Sequence, residues 1–415
     1  MAIEIDGKEA YFADLHIHSR FSRACSSQLN IENLEKWARV KGVDLIGTGD
    51  FSHPEWLEEL KRELEDKEGN GIFLTKTGFR FILSWEVSLM YSQGGKGRRV
   101  HLVVLAPGFE VVDKINSWLD TKGRRDYDGR PIFKISCEDF VKKMVEIDDR
   151  IEVIPAHIWT PWFGLFGSNS GFESFEEAFG SQVNKVHAIE TGISSTPEMN
   201  LRLNQLKRKT IVSFSDLHSF WPWRLGREAT IFKSMDNYEE ILREIRENDI
   251  IGTVEVNPAY GKYHYDGHRS CDFSCSPKKA EELNNICPVC GKKLLLGVDH
   301  RVCDLSDFPE NVKSDKIVFE ILPLHEILSA SLGAGMNTKK VWGVYNKLIE
   351  EFGNEFNILL KAEKEKLGGV VDDKTVNLIL RNRDGKLEVV PGFDGQYGYL
   401  KLDDKEEKSN LSKFL

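Results

Sequence analysis

The chain has 415 residues and a formal net charge of −10, with 40% hydrophobic and 29% charged residues. That balance excludes a disordered chain, and no run approaches the ~18 apolar residues of a membrane-spanning helix. Bulk acidity argues against coating nucleic acid by overall charge but leaves room for a local basic groove.

At roughly 150 residues per domain, the length suits two to three domains. The start, Met1 to Asp6, carries neither a basic region nor an apolar run. No secretory signal is therefore expected, and the cytoplasm is the expected address. From there, strand-like and helix-like segments alternate. Residues 10–15, 43–48, 79–85, 99–105, 151–156, 186–189 and 210–215 read as strands, and 31–40, 56–65, 137–146 and 199–207 as helices. This rhythm predicts an α/β fold of parallel strands with crossover helices, most simply closed as a barrel. It breaks near Asn257, where a Gly-, Tyr- and His-rich stretch leads into a cysteine cluster. Apolar periodicity returns over 316–332; 338–366 reads as helices, 387–399 as strand and turn, and 401–415 as an unstructured end. The expected organisation is a barrel over 1–256, a cysteine-rich domain over 257–312 and a segment returning to the barrel over 313–335. A mainly helical region over 336–402 and a tail over 403–415 complete it.

His16 and His18 stand two apart just after the first strand, and residues i and i+2 of an extended chain share a side. A lone pair of this kind would more often serve an ordinary polar network. Here it has company. Asp50 and His53 follow the second strand, Glu86 the third, and His101 lies in the fourth. His157 ends the fifth, and Asp216 and His218 follow the last. Active sites of α/β barrels are built at this carboxyl end, whereas chance would scatter the 11 histidines through helices and loops as well. Nitrogen- and oxygen-rich sets suit Zn²⁺, Mn²⁺ or Fe²⁺, and so many ligands exceed the need of one tetrahedral ion, so two to three ions are expected. Such clusters hydrolyse phosphate esters through metal-activated water.

Asp14-x-His16-x-His18-Ser19, with Asp50, His53, Glu86, His101, His157 and Asp216-x-His218, resembles the motifs of the polymerase-and-histidinol-phosphatase (PHP) family. The resemblance implies a distorted seven-stranded (β/α) barrel and a two- or three-metal phosphoesterase centre. Two residues separate Asp50 from His53 where the family often has Asp and His adjacent, so either can be the ligand. The segment Arg20 to Cys25 offers no match to a further family ligand.

Five of the seven cysteines fall in one window. Cys271-x3-Cys275 and Cys287-Pro-Val-Cys290 have the spacing of a structural zinc ribbon, with Cys303 an alternative ligand or a core thiol. Gly261 to Arg301 holds seven basic against five acidic residues, and further basic clusters occur at 96–99, 122–125 and 207–209. Beside a phosphoesterase barrel these favour a nucleic-acid groove.

The stretch Gly261-Lys262-Tyr263-His264-Tyr265-Asp266-Gly267-His268-Arg269 and the Cys-Pro-Val-Cys turn resemble the endonuclease Q family. So do Glu190-Thr191-Gly192-Ile193-Ser194-Ser195 and Pro391-Gly392-Phe393-Asp394-Gly395. The resemblance implies a DNA repair endonuclease acting at uracil, hypoxanthine, xanthine and abasic sites, cutting the phosphodiester 5′ to the lesion. Asp216, with His18 and Glu86, is the expected catalytic set, Asp216 bridging metals or orienting the water unless it serves only as a supporting carboxylate; Zn²⁺ is expected in the ribbon and the active site, and Mg²⁺ or Mn²⁺ as ions that support activity. The resemblance also implies DNA contacts at Lys262, His264, His268 and Arg269, and in the helical region. A flipped base is expected against Thr191, Gly192, Ser194 and Ser195. Aromatics at 159–163 and 220–223 follow His157 and His218, placed to wedge into the duplex or to cap helices. In the tail, Leu411, Phe414 and Leu415 resemble a sliding-clamp-binding box, with Lys408 where Gln usually stands; the expected partner is the clamp PCNA. The competing readings are a small-molecule PHP phosphatase and a DNA-binding scaffold without catalysis.

Overall fold

The computed structural model describes residues 3–5, 7–308 and 312–401. Its main strands are β1 (Lys8–Asp14), β2 (Leu45–Gly47), β3 (Arg80–Gln93), β4 (Lys96–Ala106) and β5 (Glu152–Pro155). They continue with β6 (Ala188–Glu190), β7 (Thr210–Val212), β8 (Ala229–Phe232), β9 (Gly252–Glu255) and β10 (Ile317–Glu320). One curled sheet runs β10-β9-β8-β1-β2-β3-β4-β5, and β6 and β7 form a separate parallel pair. That pair is tied to the ends of the sheet. Ile158, after β5, donates its N–H to Glu190 O at 3.2 Å, and Ile17 bridges to Leu217 beyond β1. The result is the distorted half-barrel of an α/β fold.

The expectation of parallel strands holds for β1/β2, β2/β3, β6/β7 and β9/β10. It fails for β3/β4, β4/β5, β1/β8 and β8/β9, which are antiparallel. The cause is local at β3/β4. Gly94 and Gly95 carry φ of 59° and 75°, and Gln93 pairs with Lys96, so a two-residue turn sends the chain straight back.

Helices α1 (Ile31–Lys41), α2 (Pro54–Glu63), α3 (Phe109–Leu119), α4 (Cys137–Ile147) and α5 (Tyr238–Arg246) flank the sheet. In α1 the Asn30 side chain caps the first turn through Asn33 N, Gly42 ends it at φ 95°, and Ile31, Leu34 and Ala38 are buried on one stripe. Helices α3 and α5 went unread in the sequence. The helix expected over 199–207 is instead one turn, Pro197–Asn200, and a 3₁₀ turn, Asn204–Leu206. Asn204 N–H donates to Asp307 Oδ2 at 2.8 Å, which removes it from a helical ladder.

Beyond β10, helices α6 (Leu324–Leu332), α7 (Lys339–Phe352) and α8 (Asp373–Arg383) pack back on the half-barrel. Trp342 of α7 meets Trp37 of α1 at 5.6 Å, and Phe356 meets Phe12 of β1 at 4.5 Å. Among the described residues, no helix is long and apolar enough to cross a membrane.

Candidate active site and cysteine–histidine cluster

Residues just past the ends of β1, β5 and β7 and residues inside the long strands β3 and β4 converge on two ligand groups that share Glu86; Glu86, expected at the end of its strand, lies within β3, which runs on to Gln93. One atom each from His16, His18, Glu86 and Asp216 lies within 4.8 Å of the others, and so do atoms of Glu86, His101 and His157. The backbone is arranged for this. Asp50, His157 and Asp216 take φ of 48°, 31° and 46°, the left-handed region that non-glycine residues seldom occupy. Gly192 fits beside His157 because a Cβ there would meet His157 Cβ at 2.3 Å.

Glu86 receives Arg130 Nη1 at 2.9 Å, and its Oε1 lies 2.8 Å from His101 Nδ1 and 3.1 Å from His157 Nε2. His16 Nε2 is buried without a hydrogen-bond partner, 3.5 Å from Glu86 Oε1 and 3.7 Å from Asp216 Oδ1. Burial opposes charge throughout this cluster. Even so, Glu190 and Glu86 hold His16 well above its ordinary pKa, while His101 and Arg130 hold Glu86 well below its own. At His101 burial wins and takes the imidazole down to about 4, so its ring is neutral and ready to ligate. An unpartnered imidazole nitrogen facing ionised carboxylates is a donor set that fits divalent cations.

Not every strand-end residue joins the two groups. Asp50 Oδ1 lies 3.1 Å from His18 Nδ1, while its Oδ2 accepts from Ser19 N, Ser19 Oγ and Ser22 Oγ at 2.6, 2.7 and 2.9 Å. It orients His18. His53 stands at the start of α2 with its ring stacked on Phe21 at 4.3 Å, outside both groups. His218 is also outside; its Nδ1 lies 3.0 Å from Asp216 O and its ring 4.7 Å from that of His18. Two participants were missed in the sequence. Glu190 Oε1 sits 2.9 Å from His16 Nδ1, and its Oε2 accepts the His157 N–H at 2.7 Å. Arg130, on the loop before α4, neutralises Glu86.

The 191–195 turn is bound internally. Thr191 Oγ1 donates to Glu255 Oε2 at 3.0 Å, Ser194 Oγ and Ser195 Oγ to Thr191 O at 2.8 and 3.3 Å, and Ile193 N–H to Glu228 Oε2 at 2.7 Å. Ile193 of this turn lines a cavity. Next to the ligand groups, a cleft of about 760 Å³ is lined by Asp216, His218, Trp221, Trp223, Arg224, Arg227, Lys262 and Tyr397. The Lys262 ammonium lies 4.5 Å from the Tyr397 ring centre. Arg269 is exposed, and its N–H donates to Asp394 Oδ2 at 2.6 Å. Burial takes His264 down to about 4, which leaves it neutral and poorly suited to a phosphate.

In the cysteine window, the structure assembles His268, Cys271, Cys287 and Cys290. His268 Nδ1 lies 3.2 Å from Cys271 Sγ and 3.4 Å from Cys290 Sγ. Cys275 is outside this group: in the hairpin of Asp266–His268 with Phe273–Cys275 it pairs with Asp266, three residues from the Cys271 turn. The 287–290 turn is closed by Cys287 N–H to Lys292 O at 2.7 Å and by Gly291 at φ 72°. Burial pushes the Cys287 thiol up, but N–H groups of Cys290 and Val289 outweigh it and bring it to about 7. One imidazole and three thiols gathered this closely suit structural zinc. Arg202 Nη2 approaches Cys303 Sγ at 3.8 Å, away from this group. The tail residues Leu411, Phe414 and Leu415 lie outside the described residues.

Comparison with known proteins gives this arrangement its relatives. A family model described as the MJ0043 C-terminal domain matches residues 323–386. The uncharacterized protein MJ0043 of Methanocaldococcus jannaschii is 31% identical over 285 residues, which take in 66% of this chain and 34% of that protein. The chain thus spans about a third of the length of that relative. Among solved structures, the lesion-specific endonuclease PfuEndoQ of Pyrococcus furiosus matches with a TM-score of 0.85 at 29% identity, over 97% of this chain and 98% of that one. An endonuclease Q in complex with a 27-mer duplex bearing an abasic lesion at its active site also gives 0.85. It is 30% identical and covers 97% of this chain and 100% of the other. Fold and site therefore define a nuclease-class enzyme. Within that class, the chain belongs to the endonuclease Q family.

Proposed function

We propose that the protein is a DNA repair endonuclease that recognises deaminated bases (uracil, hypoxanthine, xanthine) and abasic sites and cuts the phosphodiester 5′ to the lesion. One observation carries the reading: two ligand groups joined at Glu86 adjoin a cleft whose walls combine Arg224, Arg227 and Lys262 with Trp221, Trp223 and Tyr397. Cationic groups meet the phosphates and aromatic faces meet an unstacked base. A nearly full-length likeness to an endonuclease Q bound to an abasic duplex supports it.

His16, His18, Glu86 and Asp216 would hold one divalent cation, and Glu86, His101 and His157 a second. When bound, such ions activate water and neutralise charge on the phosphoryl and leaving oxygens. Glu190 and Asp50 fix the orientations of His16 and His18. Asp216, at the mouth of the cleft and 3.0 Å from His18 Nε2, orients the attacking water. His268, Cys271, Cys287 and Cys290 would hold a structural zinc. The division into a barrel over 1–256, a ribbon domain over 257–312 and a DNA-contacting helical region over 336–402 belongs to the same proposal. So do docking of Leu411, Phe414 and Leu415 on a sliding clamp and a cytoplasmic address.

The test is a labelled duplex carrying one deoxyuridine or deoxyinosine, incubated with the protein and Mg²⁺, Mn²⁺ or Zn²⁺, beside Asp216→Asn. The expected product is a nick 5′ to the lesion, missing on undamaged duplex and with the variant. Turnover of a free phosphomonoester without any nick would overturn the reading.

A further inference from the structure

The cleft that opens on Asp216 and His218 continues into a small recess, and Trp223, Arg224, Arg227, Met336 and Tyr397 line both. Ile193, Tyr260 and Glu326 line the recess but not the cleft. Glu326 belongs to α6, outside the half-barrel, and is the one acid among the residues lining the recess. Its Oε2 is buried and has no hydrogen-bond partner. A buried carboxyl oxygen without a donor is destabilising, and native chains keep few of them. Burial pushes the group up to about 7, with Arg224 and Arg227 opposing the rise. At pH 8 it therefore presents acceptor oxygens to the recess.

We propose that Glu326 reads the damaged base, its carboxylate accepting the ring N–H that uracil, hypoxanthine and xanthine carry beside a carbonyl. The inference rests on the lesion-endonuclease reading above and adds a residue that separates uracil from cytosine and hypoxanthine from adenine. Deamination turns an amino group and a bare ring nitrogen into a carbonyl and a ring N–H. A carboxylate attracts the second edge and repels the lone pair of the first. Arg224 and Arg227, lining the same recess, are placed to donate to the new carbonyl oxygen. The rings of Trp223, Tyr260 and Tyr397 give the base faces to stack on. Undamaged cytosine and adenine would leave Glu326 unpartnered and facing a lone pair, which is how polar sites reject near-isosteres. An abasic site has no edge to read and makes no demand on Glu326.

The experiment compares the wild type, Glu326→Leu and Glu326→Gln at pH 8 on duplexes carrying deoxyuridine, deoxyinosine or an abasic site. Leucine keeps the volume without an acceptor. It should cut kcat/KM at least tenfold on both base lesions, leave the abasic rate within twofold, and raise Tm. Glutamine keeps an acceptor oxygen and should retain at least a third of the wild-type rate on deoxyuridine. The proposal is overturned if Leu cuts deoxyuridine as the wild type does, or loses abasic cutting by the same factor. In either case the wild type still nicks lesions and the endonuclease reading stands. A wild type that nicks none of the three duplexes overturns both.

Discussion

Glu190 binds the two histidine-bearing strand ends together: its carboxylate lies 2.9 Å from His16 Nδ1 and accepts the His157 N–H at 2.7 Å. With Nδ1 committed to a carboxylate, His16 turns Nε2 toward Glu86 and Asp216. One residue from each ligand group is thereby set by a single side chain that ligates in neither. Supporting carboxylates of this kind are worth about 10–100-fold in metal affinity. Glu190→Ala should therefore weaken divalent-cation binding by about that factor, read by competition with a chromophoric chelator. Unchanged affinity would reduce Glu190 to a packing residue.

The cysteine–histidine cluster separates two zinc assignments cleanly. Spacing pairs Cys271 with Cys275, whereas geometry replaces Cys275 by His268. In metal analysis of the purified full chain, Cys287→Ser and His268→Ala should each lower zinc content, and Cys275→Ser should leave it unchanged. Loss of zinc in Cys275→Ser would restore the four-cysteine ribbon. Because ligand binding and folding are coupled in such small units, the depleted variants should also be cut faster by protease around 277–290.

What could be read from the sequence was whatever depended on local periodicity. His16, His157 and Asp216 follow strand ends, and apolar strands announce their own termini; Glu86 instead lies inside β3, which runs on to Gln93 rather than ending at Trp85. Glu190 also ends a strand, but its meaning depends on a partner 174 residues away, and no spacing rule reaches that far. Asp50 is legible as a strand-end acid; its three contacts with Ser19 and Ser22 come from partners that spacing does not reveal. The stretch around Arg269 suggests His268 as a DNA contact, and a thiol count does not show that the hairpin carries its imidazole to Cys271. The Gly94-Gly95 pair was the available signal for an antiparallel return, and the alternating rhythm masked it.

His325 of α6 is fully buried among Trp223, Trp342 and Tyr345, and neither ring nitrogen has a hydrogen-bond partner. Burial, followed by Lys41, lowers its pKa to about 3. Below about pH 6.5 the unfolded chain takes up a proton that the folded chain refuses. The stability from neutral His325 is thus complete above that pH and is lost as pH falls toward 3. His325→Phe, which does not titrate, should gain in Tm over the wild type as pH drops from about 6.5 to 4.5. A constant difference across that range would mean that His325 plays no part in acid sensitivity.

Lys41 and Glu355 form a buried ion pair at 2.6 Å that joins α1 to the segment after α7. Lys41 Nζ also donates to Pro222 O at 2.9 Å, while Glu355 accepts Leu324 N–H and Tyr345 O–H, each at 2.9 Å. The pair fastens the helical region to the barrel and to the loop that carries Trp221 and Trp223 into the cleft. Removing one member strands the other charge where water cannot reach it. Lys41→Met should cost about 3–5 kcal/mol in urea unfolding. Lys41→Met with Glu355→Gln should cost far less, because the neutral amide keeps an acceptor oxygen for the Leu324 N–H, can donate its NH2 to the Tyr345 hydroxyl oxygen, and buries no charge. If the double variant is as unstable as the single, the cost lies in lost packing around the lysine stem, and the charge pair is not what fastens the two parts.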